Sequence, residues 1–206
     1  MPDITAITAQ EKRKDRVNLF IDGGFYAGVS LETVIKLRLK VGDEVNADKL
    51  SEILAETEHV EALRKATDYA LKTLKTKRQV RDYLLRKGYS EEVVWYCVDK
   101  LKEYGYIDDK NYSARYIEST GKTQGKRLIE YKLMQKGVKK EDIENAYSET
   151  EVDGSAAAEN LCEKYLRNKE KTVENIRKAY KYLIGRGFSY EQADNAISSY
   201  KTENDG

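Results

Sequence analysis

Proline, histidine and cysteine are all scarce in this chain of 206 residues, which contains one proline, one histidine and two cysteines. A chain with so little proline can sustain long helices, since proline interrupts the helical hydrogen-bond pattern. His59 belongs to no cluster of cysteine, histidine or carboxylate residues at ligand spacing, so the sequence supports neither a metal site nor a catalytic triad. Cys97 and Cys162 are isolated, and we expect two free thiols in a reducing compartment.

Long hydrophobic runs are also absent, because no stretch reaches the roughly 18 apolar residues that a membrane-spanning helix needs. The first residues, MPDITAITAQEKRKDR, lack the apolar core of a signal peptide, so we expect a cytoplasmic protein without a membrane partner. Charge is abundant instead, at 35% of residues against 40% that are hydrophobic. This composition is typical of solvated helices with narrow apolar stripes.

The charges nearly balance, with a net charge of +1, but they alternate along the chain. Lys and Arg outnumber Asp and Glu by 9 to 2 over residues 62–87, by 7 to 1 over 122–140 and by 8 to 2 over 164–187. The segments that follow these basic stretches are each net acidic, namely 91–103, 141–151 and 189–205.

The first 30 residues are predicted to form a small β module. VNLFI at 17–21 and FYAGV at 25–29 flank the sequence DGG, whose residues suit the positive φ of a tight hairpin turn. A third strand is predicted for ITAIT at 4–8. Ser30 then predicts the N-cap of a short helix, and Asn46 predicts the start of another.

From about residue 59 onward, one helix–turn–helix joint occurs three times. Its three copies are the segments YLLRKGYSEE, KLMQKGVKKE and YLIGRGFSYE. Their glycines are at 88, 137 and 187, so the copies recur at intervals of 49 and 50 residues. Periods of this size indicate stacked helical repeats. Each glycine is predicted to close a helix with positive φ, so the joint is interpreted first as a structural feature.

The predicted fold class is therefore mainly α, with three tandem three-helix repeats in an elongated curved array and a small N-terminal β-hairpin or meander module. Apolar residues at matching positions of the three middle helices are predicted to lie in the core: Val80, Ile129 and Ala179, followed by Leu84, Leu133 and Leu183. Thr76 and Gln79 predict a capping box. The predicted domains are an N-terminal module with short helices at 1–58, then repeats at 59–107, 108–152 and 153–206.

Two columns of basic residues recur with the same period. One column, Lys87, Lys136 and Arg186, directly precedes the glycines. A cation in the last turn of a helix is stabilised by the helix dipole by about 0.3–1 kcal/mol, so capping alone could explain this column.

The second column consists of Arg78, Arg127 and Arg177, near the starts of the middle helices, where the dipole disfavours a cation. A helical wheel directs Arg78 away from Val80 and towards solvent. This column is either a solvated face or, as we favour, a row aimed at an extended anionic partner. Further basic residues would widen the row: Lys77, Arg81, Lys122, Lys126, Lys178 and Lys181.

The remaining candidates for chemistry fail on their context. GKT at 121–123 resembles the end of a phosphate-binding loop, but the required glycine is replaced by Tyr116 and the preceding segment is helical. Asp108 and Asp109 precede a helical pattern, so N-capping is a better explanation than catalysis. The 16 tyrosines could stack on bases, but their helical spacing favours packing. No enzyme activity, metal or cofactor is predicted.

At this point the sequence resembles the RecX family, the bacterial regulators of the RecA recombinase. LKEYGYIDDKNYSARYIES at 101–119 is similar to the family signature between the first two repeats, and the segments at 75–101 and 125–146 are similar to the flanking motifs. DRVNLFIDGGFYAGV at 15–29 resembles the β-rich extension of longer members. The signature positions are Leu101, Gly105, Tyr106, Asp108, Asp109, Tyr112, Ala114 and Tyr116.

The resemblance implies a curved, three-repeat helical protein that lies in the groove of the RecA–DNA filament, and we expect it to be a monomer. There it would inhibit recombinase, ATPase and co-protease activity in DNA repair and the SOS response, without being an enzyme. The basic residues would meet acidic protomer surfaces, single- or double-stranded DNA within the filament, or both. The alternative is a stand-alone helical module that binds DNA or RNA without RecA.

Overall fold

The fold is mainly helical, with a small sheet at the N-terminus. The computed structural model of the chain describes residues 1–11 and 13–202, and these form three strands and ten helices. In chain order the elements are β1 (Ile4–Gln10), β2 (Arg13–Ile21), β3 (Gly24–Ser30), α1 (Leu31–Leu37), α2 (Ala47–Lys72), α3 (Lys77–Lys87), α4 (Glu91–Glu103), α5 (Asp109–Thr120), α6 (Lys126–Gln135), α7 (Lys140–Glu149), α8 (Gly154–Leu166), α9 (Val173–Gly185) and α10 (Tyr190–Thr202). The predicted mainly α fold with three-helix repeats and a small N-terminal sheet is confirmed.

The chain divides into two compact units. The first comprises residues 1–71 and 83–103, and the second comprises residues 72–82 and the chain from 104 onward. In the second unit, α5, α6 and α7 enclose a core that includes Ile117, Leu133 and Ile143, while α8, α9 and α10 enclose a separate core. The residues predicted from the three middle helices are all buried, with at most 1% exposed.

The three predicted strands are present as one antiparallel sheet in the order β1-β2-β3. A two-residue turn joins β2 to β3, and Asp22 and Gly23 adopt φ values of 48° and 78°. Positive φ at both central residues is the geometry that matches the twist of a tight hairpin. Val17 and Leu19 alternate along β2 onto one face of the sheet, which packs against α2.

Helix α2 is continuous from Ala47 to Lys72, so the boundary predicted between residues 58 and 59 falls inside a helix. Leu50 and Leu54 share the core of the sheet, which means that the N-terminal strands and this helix form one body. The buried carboxylate of Glu61 strengthens the attachment, because it accepts hydrogen bonds from the Ser30 and Thr33 hydroxyls at 2.7 and 2.9 Å. The short second helix that was predicted is therefore corrected to a 26-residue one.

The predicted N-caps of α1 and α3 form as expected, and so do the glycine joints that follow α3, α6 and α9. Ser30 caps α1, and in the capping box the Thr76 N–H donates to Gln79 while the Gln79 N–H donates back to the Thr76 hydroxyl, at 3.0 and 3.2 Å. At the other end, Gly88, Gly137 and Gly187 have φ of 88°, 84° and 88°, which confirms the predicted positive φ.

Each glycine closes its helix with the same pair of backbone hydrogen bonds. At the second joint the Gly137 N–H donates to the Met134 carbonyl at 2.9 Å, and the Val138 N–H donates to the Leu133 carbonyl at 3.1 Å. This is a Schellman motif, in which the residue after the glycine also makes an apolar contact with the helix. Val138 and Leu133 are both buried, so the motif joins the helix end to the core.

Gly137→Val tests the joint. We expect the free energy of unfolding to fall by more than about 1 kcal/mol, because a β-branched residue is strained at positive φ. A Cβ at this position would also overlap the side-chain carbons of Arg78. Urea or thermal unfolding measures the effect.

Gly185→Val is the matched control, since Gly185 lies in α9 without positive φ and a Cβ there would meet no other atom. We expect little change in stability for this variant. An unchanged unfolding midpoint for Gly137→Val would contradict the explanation of the joint.

Candidate partner-binding face

The basic residues predicted to meet a partner all remain accessible, and none is buried. Nine are exposed: Arg78, Lys87, Lys122, Lys126, Arg127, Arg177, Lys178, Lys181 and Arg186. Three are half-buried: Lys77, Arg81 and Lys136. Exposure is required for partner binding but does not show it, so the assignment of these residues stays a prediction.

Arg78 occupies the second position of α3, and its side chain is 58% exposed. The helical wheel predicted exposure to solvent, and the guanidinium does lie there, 3.8 Å from Asp82. Its carbon stem, however, lies against Gly137 of the next repeat. Helical periodicity did not predict this contact, in which an unbranched stem packs against a residue that has no side chain.

Two equivalent contacts join successive repeats in the second unit. The first junction is the contact that Thr76, Lys77 and Arg78 make with Lys136 and Gly137. Its central hydrogen bond runs from the Thr76 hydroxyl to the Lys136 carbonyl at 2.7 Å. The start of one middle helix thus meets the end of the next, where unpaired carbonyl groups are available as acceptors.

The second junction is the meeting of Gly125, Lys126 and Arg127 with Arg186 and Gly187. Here backbone groups replace the threonine hydroxyl, since the Gly125 N–H donates to the Arg186 carbonyl at 2.9 Å and the Arg127 N–H donates to the Gly187 carbonyl at 3.2 Å. A Cβ on Gly125 would overlap the Gly187 backbone. Glycine is therefore required on both sides of this contact.

These junctions bring together the two basic columns that the sequence keeps about 60 residues apart. Arg78 of the arginine column lies on the glycine that follows Lys136 of the second column. Arg127 likewise bonds to the glycine that follows Arg186. The chain positions of the two columns therefore meet at each junction, while the charged ends of the side chains have other neighbours: Arg127 lies near the Tyr190 ring and Arg186 near the Tyr182 ring. The spacing of each column along the chain did not predict this meeting.

The junction cations are only weakly neutralised. Lys126 pairs with Glu130 at 3.7 Å on the same exposed helix face, an arrangement that contributes little stability in water. The Arg186 guanidinium lies 5.1 Å from the centre of the Tyr182 ring, and Arg127 lies 6.0 Å from that of Tyr190. Aromatic rings attract a cation without cancelling its charge, so these groups remain available to an anionic partner.

The third repeat presents its cations on α9. Lys178 is held by Glu174 at 2.7 Å, and this hydrogen bond lowers the pKa of the Glu174 carboxyl. Arg177 and Lys181, by contrast, have no carboxylate partner among residues 1–11 and 13–202. Both are exposed and therefore remain open to an external partner.

Asp109 has a different role from the one predicted. Asp108 is the N-cap of α5, as expected, and accepts from the Lys110 and Asn111 N–H groups at 2.8 and 3.1 Å. Asp109 is 4% exposed and accepts from the Lys77 N–H at 2.9 Å, so it caps α3, the helix of the preceding repeat. Burial raises the pKa of the Asp109 carboxyl, and the hydrogen bond from Lys77 partly opposes this rise.

Features that would suggest chemistry do not assemble. Within the described ranges, no group of three or more His, Cys, Asp or Glu side chains could hold a metal ion. The ring of His59 packs edge-on against Tyr96, with Nδ1 2.8 Å from the Ala55 carbonyl oxygen. Burial raises the pKa of the Cys97 thiol to about 12 and that of Cys162 to about 11, which keeps both thiols protonated and unreactive.

Two pairs of tyrosines stack, as the helical spacing of the tyrosines suggested. The ring centres of Tyr69 and Tyr83 lie 4.2 Å apart, and those of Tyr165 and Tyr182 lie 4.9 Å apart.

In the part of the chain that the structure describes, no helix is both long and apolar enough to span a bilayer.

Comparison with known families finds three matches along the chain. Residues 2–46 match the family described as the regulatory protein RecX N-terminal domain, residues 62–101 match the first three-helix domain of RecX, and residues 108–146 match its second three-helix domain. The matched segments contain both glycines Gly88 and Gly137.

Individual relatives agree over nearly the full length. A regulatory protein RecX of Clostridium botulinum is 37% identical over 93% of this chain and 92% of its own, and one from Clostridium beijerinckii is 35% identical over 96% and 95%. A crystal structure of a regulatory protein RecX superposes with a TM-score of 0.66 at 26% identity and covers 98% of this chain and 100% of its own.

The raised pKa of Asp109 predicts a pH effect on stability. A carboxyl whose pKa is higher in the folded than in the unfolded state contributes stability below the unfolded value, and this is lost as pH rises through the folded value. Wild type should therefore gain stability relative to Asp109→Asn, which does not titrate, as pH falls from neutral towards 3.8, the ordinary value for Asp.

Urea unfolding at a series of pH values measures this difference. Asp109→Ala, which also loses the acceptor for the Lys77 N–H, should be destabilised by about 1 kcal/mol, as for other lost caps. A difference between wild type and Asp109→Asn that stays constant, or moves the opposite way, would contradict the assignment.

Proposed function

This chain belongs to the RecX family of regulatory proteins, and from that premise we propose that it binds the RecA–DNA filament and inhibits its recombinase, ATPase and co-protease activities. It acts by binding rather than by catalysis. Regulation of a DNA-bound recombinase implies a cytoplasmic protein that works in DNA repair and the SOS response, and we expect it to act as a monomer.

The observation that carries this proposal is that positions of the two basic columns meet at both junctions while most of their side chains stay exposed. The Arg78 stem lies on Gly137, which follows Lys136, and the Arg127 N–H donates to the carbonyl of Gly187, which follows Arg186. Folding alone does not favour a concentration of exposed cations, because like charges repel. An anionic partner would be attracted to such a surface, which would account for arginine at these helix starts.

Repetition supports a filament as the partner. A filament presents one protomer surface many times, and a protein built from repeats can engage several of these surfaces at once. Individually weak contacts then combine, because each later contact forms within the same complex. Both junctions use the same elements, a helix start and a glycine joint, as such a mode of binding requires.

A second candidate function is direct binding of nucleic acid. It is favoured by exposed tyrosines near the second junction, since Tyr190 is 66% exposed beneath Arg127, and aromatic rings next to cations suit stacked bases. A direct binder that neutralises several phosphates loses affinity steeply as salt rises. A filament regulator instead requires the recombinase for tight association.

Cosedimentation separates the two candidates. At matched salt, we expect tight association with RecA filaments on single-stranded DNA and weaker association with the bare DNA. Equal binding to both, with a steep dependence on salt, would favour direct binding of nucleic acid.

Removal of charge from the arginine column tests the proposed face. The triple variant Arg78→Gln, Arg127→Gln and Arg177→Gln should inhibit RecA ATPase at least tenfold less, equivalent to about 1.4 kcal/mol of lost binding. Its thermal stability should change little, because exposed charges contribute little and glutamine preserves part of the Arg78 stem. Steady-state ATP hydrolysis on single-stranded DNA measures inhibition.

A matched control removes three other exposed cations with the same change in net charge, namely Arg115→Gln, Lys140→Gln and Lys102→Gln. We expect this control to inhibit like the parent protein. If the arginine triple variant inhibits as well as the parent protein, the arginine column is a solvated face and does not bind the partner.

A further inference from the structure

An apolar groove lies between α9 and α10 in the third repeat. Its cavity volume is about 540 Å³, within the range of about 300–1,000 Å³ that is common for binding sites. Ile176 and Ile197, each 4% exposed, form its floor together with Tyr180. Val173 lines the same groove but is 56% exposed.

An additional helical turn builds one end of this groove. Helix α6 begins at Lys126, and the repeat interval of 50 residues places the equivalent position in α9 at Ile176, yet α9 begins at Val173. Thr172 caps the additional turn by accepting from the Asn175 N–H at 3.3 Å. In the first two repeats the start of the middle helix lies on a glycine joint, whereas here it carries an exposed valine.

The fold does not require valine at this position. A β-branched side chain lowers helix propensity, and an exposed one contributes little burial. An exposed valine at the edge of an apolar groove is instead what an incoming apolar side chain would contact.

The rim of the groove is positively charged. Arg177, Lys181 and Lys201 lie along it, and among the lining residues that the structure describes the only carboxylate is that of Asp194, which is paired with Lys201 at 2.7 Å. Arg177 and Lys181 therefore present uncompensated charge on the side of the groove formed by α9. They follow Val173 at four and eight residues, which places all three on one helix face.

We infer that this groove binds an acidic protein segment that inserts apolar side chains between α9 and α10 while its carboxylates pair with Arg177 and Lys181. Charge complementarity selects an acidic occupant. The two isoleucines of the floor select a protein segment over nucleic acid, whose bases prefer platforms of several aromatic rings, because the floor offers only Tyr180 among the described lining residues. The segment is one carried by the recombinase, and that identification alone rests on the proposed function.

A peptide experiment tests the groove without the recombinase. The probe is a short synthetic peptide with leucines at i and i+4 flanked by glutamates, and its counterpart carries lysines in place of the glutamates. We expect the acidic peptide to shift the methyl resonances of Ile176 and Ile197 and the lysine peptide to leave them unchanged. Val173→Gln should weaken binding of the acidic peptide about tenfold, and Lys181→Glu should have a similar effect.

Leu71→Gln is the matched control, because Leu71 is similarly exposed at 64% but lies on α2. It should bind the acidic peptide like the parent protein. Equal binding of both peptides, or unchanged affinity in Val173→Gln, would overturn the inference. Displacement of the acidic peptide from the isoleucine methyl groups by oligothymidylate would overturn it in favour of nucleic acid.

The same variants then identify the source of the segment. Val173→Gln should bind RecA filaments about tenfold more weakly than Leu71→Gln. If the parent protein fails to bind filaments, the proposed function fails, while the peptide result still decides whether the groove takes an acidic segment. If filaments bind Val173→Gln and parent protein alike, the recombinase is not the source.

Discussion

The contact between a helix start and a glycine joint is the interaction on which the repeats depend. Positive φ at Gly137 turns the chain from α6 into α7, and the absent side chain leaves room for the stem of Arg78. The Lys136 carbonyl, left without a partner by the end of its helix, is then satisfied by the Thr76 hydroxyl. Glycine thus serves both the turn and the packing, and the residue before it supplies the hydrogen-bond acceptor.

That contact also determines where charge accumulates. The residue before each glycine is basic and lies at a helix end, where the helix dipole stabilises a cation. The arginine that packs against the joint lies at the start of a middle helix, where the dipole disfavours a cation. The junction brings their chain positions together, so a basic residue that stabilises one helix end lies near the arginine position of another repeat. The buried carboxylate of Asp109 accepts from the Lys77 N–H at the first junction. Structural residues and the proposed binding residues are therefore neighbours at each junction, although their roles are separable.

Local patterns predicted the elements whose causes are local. The capping box of Thr76 and Gln79, the turn at Asp22 and Gly23 and the positive φ of the repeated glycines all depend on residues within a few positions of one another. The continuity of α2 was missed, because periodicity does not distinguish two adjacent helices from one long helix. The packing of Leu50 and Leu54 against the sheet makes that distinction, and it depends on strands 30 residues away.

The sequence by itself determined the class of fold, the repeat and the joints, since each follows from spacing along the chain, and its motifs carried the resemblance to the family. Only the tertiary structure decided that Asp109 caps a helix of another repeat, that Arg78 lies on Gly137 and that α9 and α10 leave a groove edged by Val173. These are contacts between residues 20 to 60 positions apart. Burial and hydrogen bonding select such pairs in three dimensions, and helical periodicity carries no information about them.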